Sequence, residues 1–296
     1  MAARSEDRSR LAYRANLLRL ESVKLADALR SGSFKSLRRG HGIEFSDVRE
    51  YLYGDNVRAI DWNVTARMGR AFIKQYEEDS ELQVFFIIDC SLSMRSGSRG
   101  RSRLEAAYEA AALLVLAAAQ MASATGAVFF DGEIRLALAP KAGQRQAMLI
   151  LAQLDAAEQQ TVRGSALDAA LTGAGKLLKK RSLVFVFSDF RTTCWLQPFA
   201  RLAQKHDLVA VRITDATDST LPVMGTVPFT DTESGIQRVL PTSSRAFAEA
   251  WREADRARVA TWRSECLRHG GHPLILSTDD DALLVLLRFF TQRSGV

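Results

Sequence analysis

The chain of 296 residues holds 47% hydrophobic and 25% charged residues, a balance typical of a globular protein with one large α/β domain, with or without a small annex. The formal net charge is +6, and most of the excess is local, because the first fifty residues hold 11 Lys and Arg against 7 Asp and Glu. The three cysteines, Cys90, Cys194 and Cys266, form no CxxC pair, which argues against a zinc ribbon or a disulfide framework and favours a reduced, cytoplasmic setting.

The N-terminal passage combines a helical pattern with a strand-like one. Apolar side chains at helical spacing predict an amphipathic helix from Arg10 to Arg30, and a Gly/Ser/Arg-rich loop follows from Ser31 to Gly42. Between Gly42 and Tyr76, charged residues alternate with large apolar ones, which predicts short strands and turns rather than a free-standing helix. We assign residues 1–80 to an N-terminal annex. Its charged side chains either form a structural ion-pair network, which we favour, or present a docking surface.

No segment predicts export or membrane insertion. The N-terminus lacks the apolar core of a signal peptide. The most apolar stretch, Ala106 to Ala119, contains Glu109 and is rich in alanine, so it does not predict a membrane span. We therefore expect a cytoplasmic protein with no membrane span.

Residues 81–296 alternate apolar runs with helical patterns. The runs Val84–Ile88, Leu183–Phe187 and Leu208–Ile213 predict strands that are covered on both faces. Helical segments between them indicate βαβ units, so we expect an α/β fold with a mostly parallel, Rossmann-like sheet flanked by helices. Two hairpins are predicted, one around Asp131-Gly132 and one inserted near residues 223–241. Helices are predicted at 103–124, 144–157, 164–180, 195–206, 244–269 and 280–292.

Oxygen-bearing side chains follow two of the buried strands. Asp89-Cys-Ser91-Leu-Ser93 comes after the first, and Asp189 comes after the second. Ser165 opens an intervening helix and is its N-cap, a loop ligand, or both. Ligand sites of parallel sheets lie at the carboxyl ends of the strands, and carboxylate and hydroxyl oxygens suit Mg²⁺. Two crowded carboxylates would repel without a cation, so the sequence predicts a divalent metal site.

These residues resemble the metal-ion-dependent adhesion site (MIDAS) of von Willebrand factor A-type (vWA) domains. Asp89, Ser91 and Ser93 match its DxSxS element, and Asp189 matches its later aspartate. Ser165 lies where that family has threonine, so the hydroxyl ligand is kept while the methyl group is lost. The resemblance implies Mg²⁺, or Mn²⁺ or Ca²⁺, bound by the protein and completed by a Glu or Asp of a partner.

The chain is also similar to a bacterial subgroup of vWA-like proteins, the domain-of-unknown-function 58 family associated with MoxR-type AAA+ ATPases. The similarity rests on three blocks, at residues 42–51, 54–67 and 276–290. It implies a non-enzymatic, chaperone-like adaptor or effector that acts with a MoxR-type ATPase in assembly, maturation or remodelling of another complex. It also implies a client protein that offers an acidic residue to the metal.

Two other functions stay open on the sequence alone. Paired aspartates at strand ends also suit an Mg²⁺-dependent phosphohydrolase, although Ser91 replaces the second aspartate of the aspartyl-phosphate DxD pattern. The basic N-terminal half suits nucleic-acid binding, which is disfavoured because no aromatic residues interleave with the basic ones. Neither a Walker A motif nor HExxH or GxSxG is present, so we find no catalytic constellation.

Overall fold

A computed structural model describes residues 21–29, 43–52, 60–78, 82–156, 162–230 and 237–294. It divides into two compact units, a small one at Phe34–Glu81 and a large one comprising Met1–Ser33 and Leu82–Val296. The small unit is thus shorter than the annex expected at residues 1–80. The described part of the first helix, α1 (21–29), groups with the large unit, where Leu25 is buried. The rest of the predicted helix, and the predicted loop after it, lie outside the described residues.

The small unit is an antiparallel strand pair with a helix between its strands. Strand β1 (Ile43–Glu50) pairs with β2 (Phe72–Glu78), which agrees with the expected short strands. Helix α2 (Trp62–Met68) differs from the prediction, because the alternation of charged and apolar residues favours strands and turns here. Asp61 begins this helix as its N-cap, accepting hydrogen bonds from the backbone nitrogens of Asn63 and Val64 at 3.0 and 3.3 Å.

The ion-pair network expected in the annex stays a prediction. Glu50 and Arg70 form an ion pair at 3.4 Å, but both side chains are largely exposed. Such an exposed pair contributes little to stability. The side chains at 44–49 and the residues at 55 and 58 lie outside the described part of the structure.

The large unit contains the expected α/β sheet. Its six strands are β3 (Gln83–Asp89), β4 (Ala124–Phe130), β5 (Ile134–Lys141), β6 (Leu183–Ser188), β7 (Asp207–Thr214) and β10 (His272–Ser277). They lie in the order β10-β7-β6-β3-β4-β5, and all neighbours are parallel except β5, which returns antiparallel to β4. The apolar runs predicted the central strands correctly, since they are buried along nearly their whole length. Two further strands of the large unit, β8 (Thr226–Thr230) and β9 (Gln237–Pro241), lie outside this sheet.

Strands β8 and β9 form a separate antiparallel pair, which confirms the hairpin expected near residues 223–241. Its turn lies outside the described residues. The helices of the large unit agree with the predicted ones, apart from their ends and one short additional helix, α7. They are α3 (Arg103–Gln120), α4 (Gln144–Ala156), α5 (Leu167–Leu177), α6 (Leu196–Ala203), α7 (Ala216–Ser219), α8 (Arg245–Arg268) and α9 (Ala282–Ser294).

Candidate functional site

The predicted site begins where β3 and β6 end side by side. Their parallel register pairs Ile88 with Phe187, so Asp89 and Ser188 are the next residues at this edge. Ser188 Oγ donates a hydrogen bond to Asp89 Oδ2 at 2.6 Å, and the backbone nitrogen of Ser91 donates to Asp89 Oδ1 at 2.9 Å. All three residues are buried. Each oxygen of the Asp89 carboxylate accepts one of these hydrogen bonds, which together fix the orientation of the side chain.

A second buried carboxylate lies close to the first. Burial, and then the charge of Asp189, raises the pKa of Asp89 to about 7. Asp189 Oδ1 accepts a hydrogen bond from the backbone nitrogen of Arg191 at 3.1 Å. Asp189 Oδ2 is buried without a hydrogen-bond donor, and Arg191 Nε approaches it only to 3.8 Å. The two aspartates therefore crowd negative charge at one point of the sheet edge.

Two serines of the DxSxS element lie in the same place. After β3 the chain makes a short 3₁₀ turn at Leu92–Arg95, with Ser91 just before it. Ser91 and Ser93 are buried, and their Oγ atoms lie 3.2 Å apart. Alternate residues thus point their hydroxyls to one side, as the spacing of the element predicted.

Ser165 is held in a loop and does not cap a helix. Helix α5 begins at Leu167, and the residue in the N-cap position is Ala166, whose side chain makes no capping hydrogen bond. Ser165 Oγ is buried and has no hydrogen-bond partner. The N-cap interpretation of Ser165 is therefore wrong. A buried hydroxyl without a partner is costly, and such atoms call for an explanation.

Asp131 anchors the loop that carries Ser165, a role that sequence reasoning missed. This buried side chain follows β4 and accepts hydrogen bonds from the backbone of Glu133 and Val162 and from Arg135, each at 3.1 Å. Its own carbonyl accepts from the backbone nitrogen of Ala166 at 2.6 Å. The sequence pattern Asp131-Gly132 predicts only a turn. The signal in the sequence was an aspartate directly after a strand that neighbours β3.

A glycine permits this close approach of the hairpin turn and the loop. The backbone nitrogen of Gly132 donates to the carbonyl of Val162 at 3.2 Å. A Cβ atom at residue 132 would lie 2.3 Å from the carbonyl oxygen of Arg163, closer than van der Waals contact permits. The loop bearing Ser165 is thus positioned by residues 131–132.

The other aspartates at this edge are satisfied by their neighbours. Asp215, after β7, accepts from Ser98 and Thr278 at 2.8–3.0 Å, and from Thr217. Although burial alone would raise it, these hydrogen bonds hold the pKa of Asp215 well below its usual value. Asp218 pairs with Arg103 and Arg191. Free acceptor capacity therefore concentrates at Asp189 and Ser165.

Most of the candidate metal ligands at this edge are serine hydroxyls. Among the described residues, no group of three or more His, Cys, Asp or Glu side chains is placed to hold a metal, so any cation here would depend on the serines. Cys90, inside the DxSxS element, is buried, and burial raises the pKa of its thiol to about 12. A thiol with that pKa stays protonated and is neither a nucleophile nor a ligand at neutral pH.

Comparison with known proteins places the chain in a family. The model of a family described as "Protein of unknown function DUF58" matches residues 47–261. The chain belongs to the DUF58 family. An uncharacterized protein of Mycobacterium bovis is 30% identical over 294 residues, covering 97% of this chain and 91% of the relative. The descriptions of this family and of this relative name no activity.

Solved structures similar to this DUF58 protein are distant from it in sequence. BatB of Bacteroides thetaiotaomicron is 15% identical with a TM-score of 0.49, covering 73% of this chain and all of that one. The vWA domain of SpRpn10 is 13% identical with a TM-score of 0.38, covering 73% and 98%. The mostly parallel sheet with flanking helices is the α/β architecture that the sequence predicted.

The expected cytoplasmic location is corrected by a further neighbour. An aerotolerance-related membrane protein of Bacteroides fragilis is 15% identical with a TM-score of 0.47, covering 72% of this chain and 98% of that one. This neighbour is described as a membrane protein, which contradicts the cytoplasmic location expected from the sequence. In the described part of the chain, no helix has the length and apolar character needed to cross a bilayer.

Proposed function

We propose that this DUF58 protein binds other proteins through a divalent cation, Mg²⁺ or else Mn²⁺ or Ca²⁺. The ligands would be Asp89, Ser91, Ser93, Ser165 and Asp189. The observation that carries the proposal is the pair of buried oxygens without hydrogen-bond donors, Ser165 Oγ and Asp189 Oδ2, at an edge that also holds the buried Asp89. Acceptor atoms without donors are stabilised by a cation, which needs only lone pairs.

The chemistry of the ligands favours a hard cation. Three hydroxyls and two carboxylates supply only oxygen, and Mg²⁺ binds oxygen in octahedral geometry while keeping several waters. Burial, and then the charge of Asp189, raises the pKa of Asp89, and a cation would favour the charged carboxylate against both effects. Ser188 would position Asp89 by its hydrogen bond at 2.6 Å, and Asp131 would position Ser165 by holding the loop.

The cation would supply a coordination position for an acidic side chain of the partner. Binding through that position makes recognition depend both on the metal and on a Glu or Asp of the client. We extend the proposal to action with a MoxR-type AAA+ ATPase in the assembly, maturation or remodelling of another protein complex. This extension rests on the resemblance of residues 42–67 and 276–290 to the MoxR-associated subgroup.

Calorimetric titration of the purified chain with MgCl₂ and MnCl₂ tests the metal site. We expect saturable binding by the unmodified protein and at least about a tenfold loss of affinity in Asp189→Asn, because the variant keeps the shape and removes the charge. Asp279→Asn is the matched control, since Asp279 is partly exposed and pairs with the exposed Arg99. Equal affinity in all three proteins would contradict the site.

A purified MoxR-type ATPase tests the partnership separately. Immobilised chain is expected to retain the ATPase in Mg²⁺ and to lose it in EDTA, and the Asp189→Asn variant should retain less. Retention that is the same in EDTA, or in the variant, would show that recognition does not pass through the cation. Cleavage of p-nitrophenyl phosphate that is abolished by Asp189→Asn would instead favour a phosphohydrolase.

A further inference from the structure

An open cavity of about 740 Å³ lies between the loop after β6, strand β7 and helix α8. This volume falls within the range of about 300–1,000 Å³ that is usual for small-ligand sites. Three of the four tryptophans of the chain, Trp195, Trp251 and Trp262, line it. Walls of this kind suit a flat apolar group, because the indole rings of the tryptophans can stack on it.

Two buried N–H donors in the wall of this cavity lack acceptors. Arg212 and Trp262 are only 5% and 4% exposed, and neither Arg212 Nε nor Trp262 Nε1 has a hydrogen-bond partner. The Arg212 guanidinium lies over the Trp262 ring, 5.6 Å from its centroid. Within the described residues, Arg212 forms no ion pair. A buried cation without an ion pair is costly, and burial indeed lowers the pKa of Arg212.

The acidic groups around the cavity do not neutralise Arg212 directly. Glu265, which lines it, pairs with Arg268 at 2.9 Å and with His269 at 3.6 Å. Asp255 pairs with Arg258 at 3.3 Å. Asp189, Asp255 and Asp218 act on Arg212 only through longer-range attraction. Arg212 lines the cavity, and among the described residues no carboxylate forms an ion pair with its guanidinium.

We propose that this cavity binds a carboxylic acid that also carries an aromatic ring. Arg212 and Trp262 would donate to the carboxylate, and Trp195 and Trp251 would enclose the aromatic group. A carboxylate suits the place because it carries a single charge and two acceptor oxygens, whereas the acids nearby would oppose a phosphate dianion. The site is distinct from the proposed metal site and needs no cation. The acid is either a small free molecule or the C-terminus of a partner chain.

Tryptophan emission and calorimetry in EDTA test this site, so the result does not depend on the metal. The first probe is N-acetylphenylalanine, with its neutral amide as the matched control. We expect saturable binding of the acid, with a change in emission excited at about 295 nm, and binding of the amide weaker by about tenfold or more. A second probe, phenylacetate, distinguishes a small free acid from the C-terminus of a partner chain. Equal affinity for it indicates a small free acid, and preference for N-acetylphenylalanine indicates a chain terminus.

Variants locate the binding. Arg212→Gln should reduce the affinity for N-acetylphenylalanine about tenfold or more. Because Arg212 lies in a buried strand, the exposed Ala257 at the cavity provides a second variant, and Ala257→Phe should block binding without disturbing the core. Ala254→Phe, on the same helix outside the lining, should bind normally. Equal binding of acid and amide, unchanged binding by Ala257→Phe, or tighter binding of inorganic phosphate would overturn the proposal.

Discussion

Ser188 and Asp89 come from neighbouring strands 99 residues apart in the chain, and the Ser188 hydroxyl donates to the Asp89 carboxylate at 2.6 Å. The same Ser188 Oγ accepts a hydrogen bond from the backbone nitrogen of Phe190 at 3.0 Å. One hydroxyl thus links the carboxylate of β3 to the turn that carries Asp189. Phe190 has a φ of 52°, unusual for a residue other than glycine, so this turn needs such support.

The first prediction concerns that hydroxyl. Ser188→Ala should destabilise the protein by about 1–3 kcal/mol, because the Phe190 amide and the Asp89 carboxylate both lose a buried partner. It should also weaken Mg²⁺ binding, because Asp89 loses the group that positions it. Ser182→Ala is the control, since Ser182 bonds to Gln83 and Lys180 at the opposite end of the same strand. Urea unfolding and calorimetry check both effects, and a similar loss of metal affinity in the two variants would argue against a positioning role.

The second prediction concerns pH. Because the pKa of Asp89 is raised to about 7 in the folded chain, folding favours its protonated form. Its contribution to stability is thus fully present below the ordinary pKa of about 4 and is lost as the pH rises through about 7. In EDTA the stability of the unmodified protein, relative to Asp89→Asn, should fall by on the order of 1 kcal/mol for each pH unit in this window.

Urea unfolding of both proteins at pH values from 5 to 8 measures this difference. Mg²⁺ competes with the proton for the same carboxylate. The apparent affinity of the protein for Mg²⁺ should therefore increase as the pH rises over the upper part of that range. Parallel pH profiles for the unmodified protein and Asp89→Asn would show that Asp89 does not titrate with a raised pKa.

Much of this architecture could be predicted from the sequence because its signals are local. Continuous apolar runs indicate buried strands, and the DxSxS spacing lies within five residues, so β3 and Asp89 followed directly. The contacts of Ser188 and Asp131 depend on which strands lie side by side, and a single sequence does not show that. Helix α2 was missed for a different reason, since alternation of charged and apolar residues outweighed the N-cap signal of Asp61.

The third prediction tests the approach of the hairpin turn to the loop bearing Ser165. Gly132→Ala would place a Cβ atom 2.3 Å from the Arg163 carbonyl oxygen, so the loop must move. We expect a lower melting temperature and weaker Mg²⁺ binding. Gly173→Ala is the contrasting control, because it lies in helix α5 with its nearest contact at 3.5 Å and should stabilise the protein by about 0.5–1 kcal/mol. Unchanged metal affinity in Gly132→Ala would show that the loop bearing Ser165 is not part of the metal site.

The fourth prediction separates a ligand from a structural hydroxyl at Ser165. Its Oγ is buried without a partner, so Ser165→Ala removes an unsatisfied polar atom and should leave the metal-free protein as stable as before, or slightly more stable. The same variant should bind Mg²⁺ more weakly, because one oxygen ligand is lost. A helix-capping serine would behave in the opposite way, costing about 1 kcal/mol on mutation with no effect on metal affinity. Thermal unfolding in EDTA and calorimetry with MgCl₂ on the same preparations distinguish the two, and Ser165→Thr should retain the affinity that Ser165→Ala loses, since it keeps the hydroxyl.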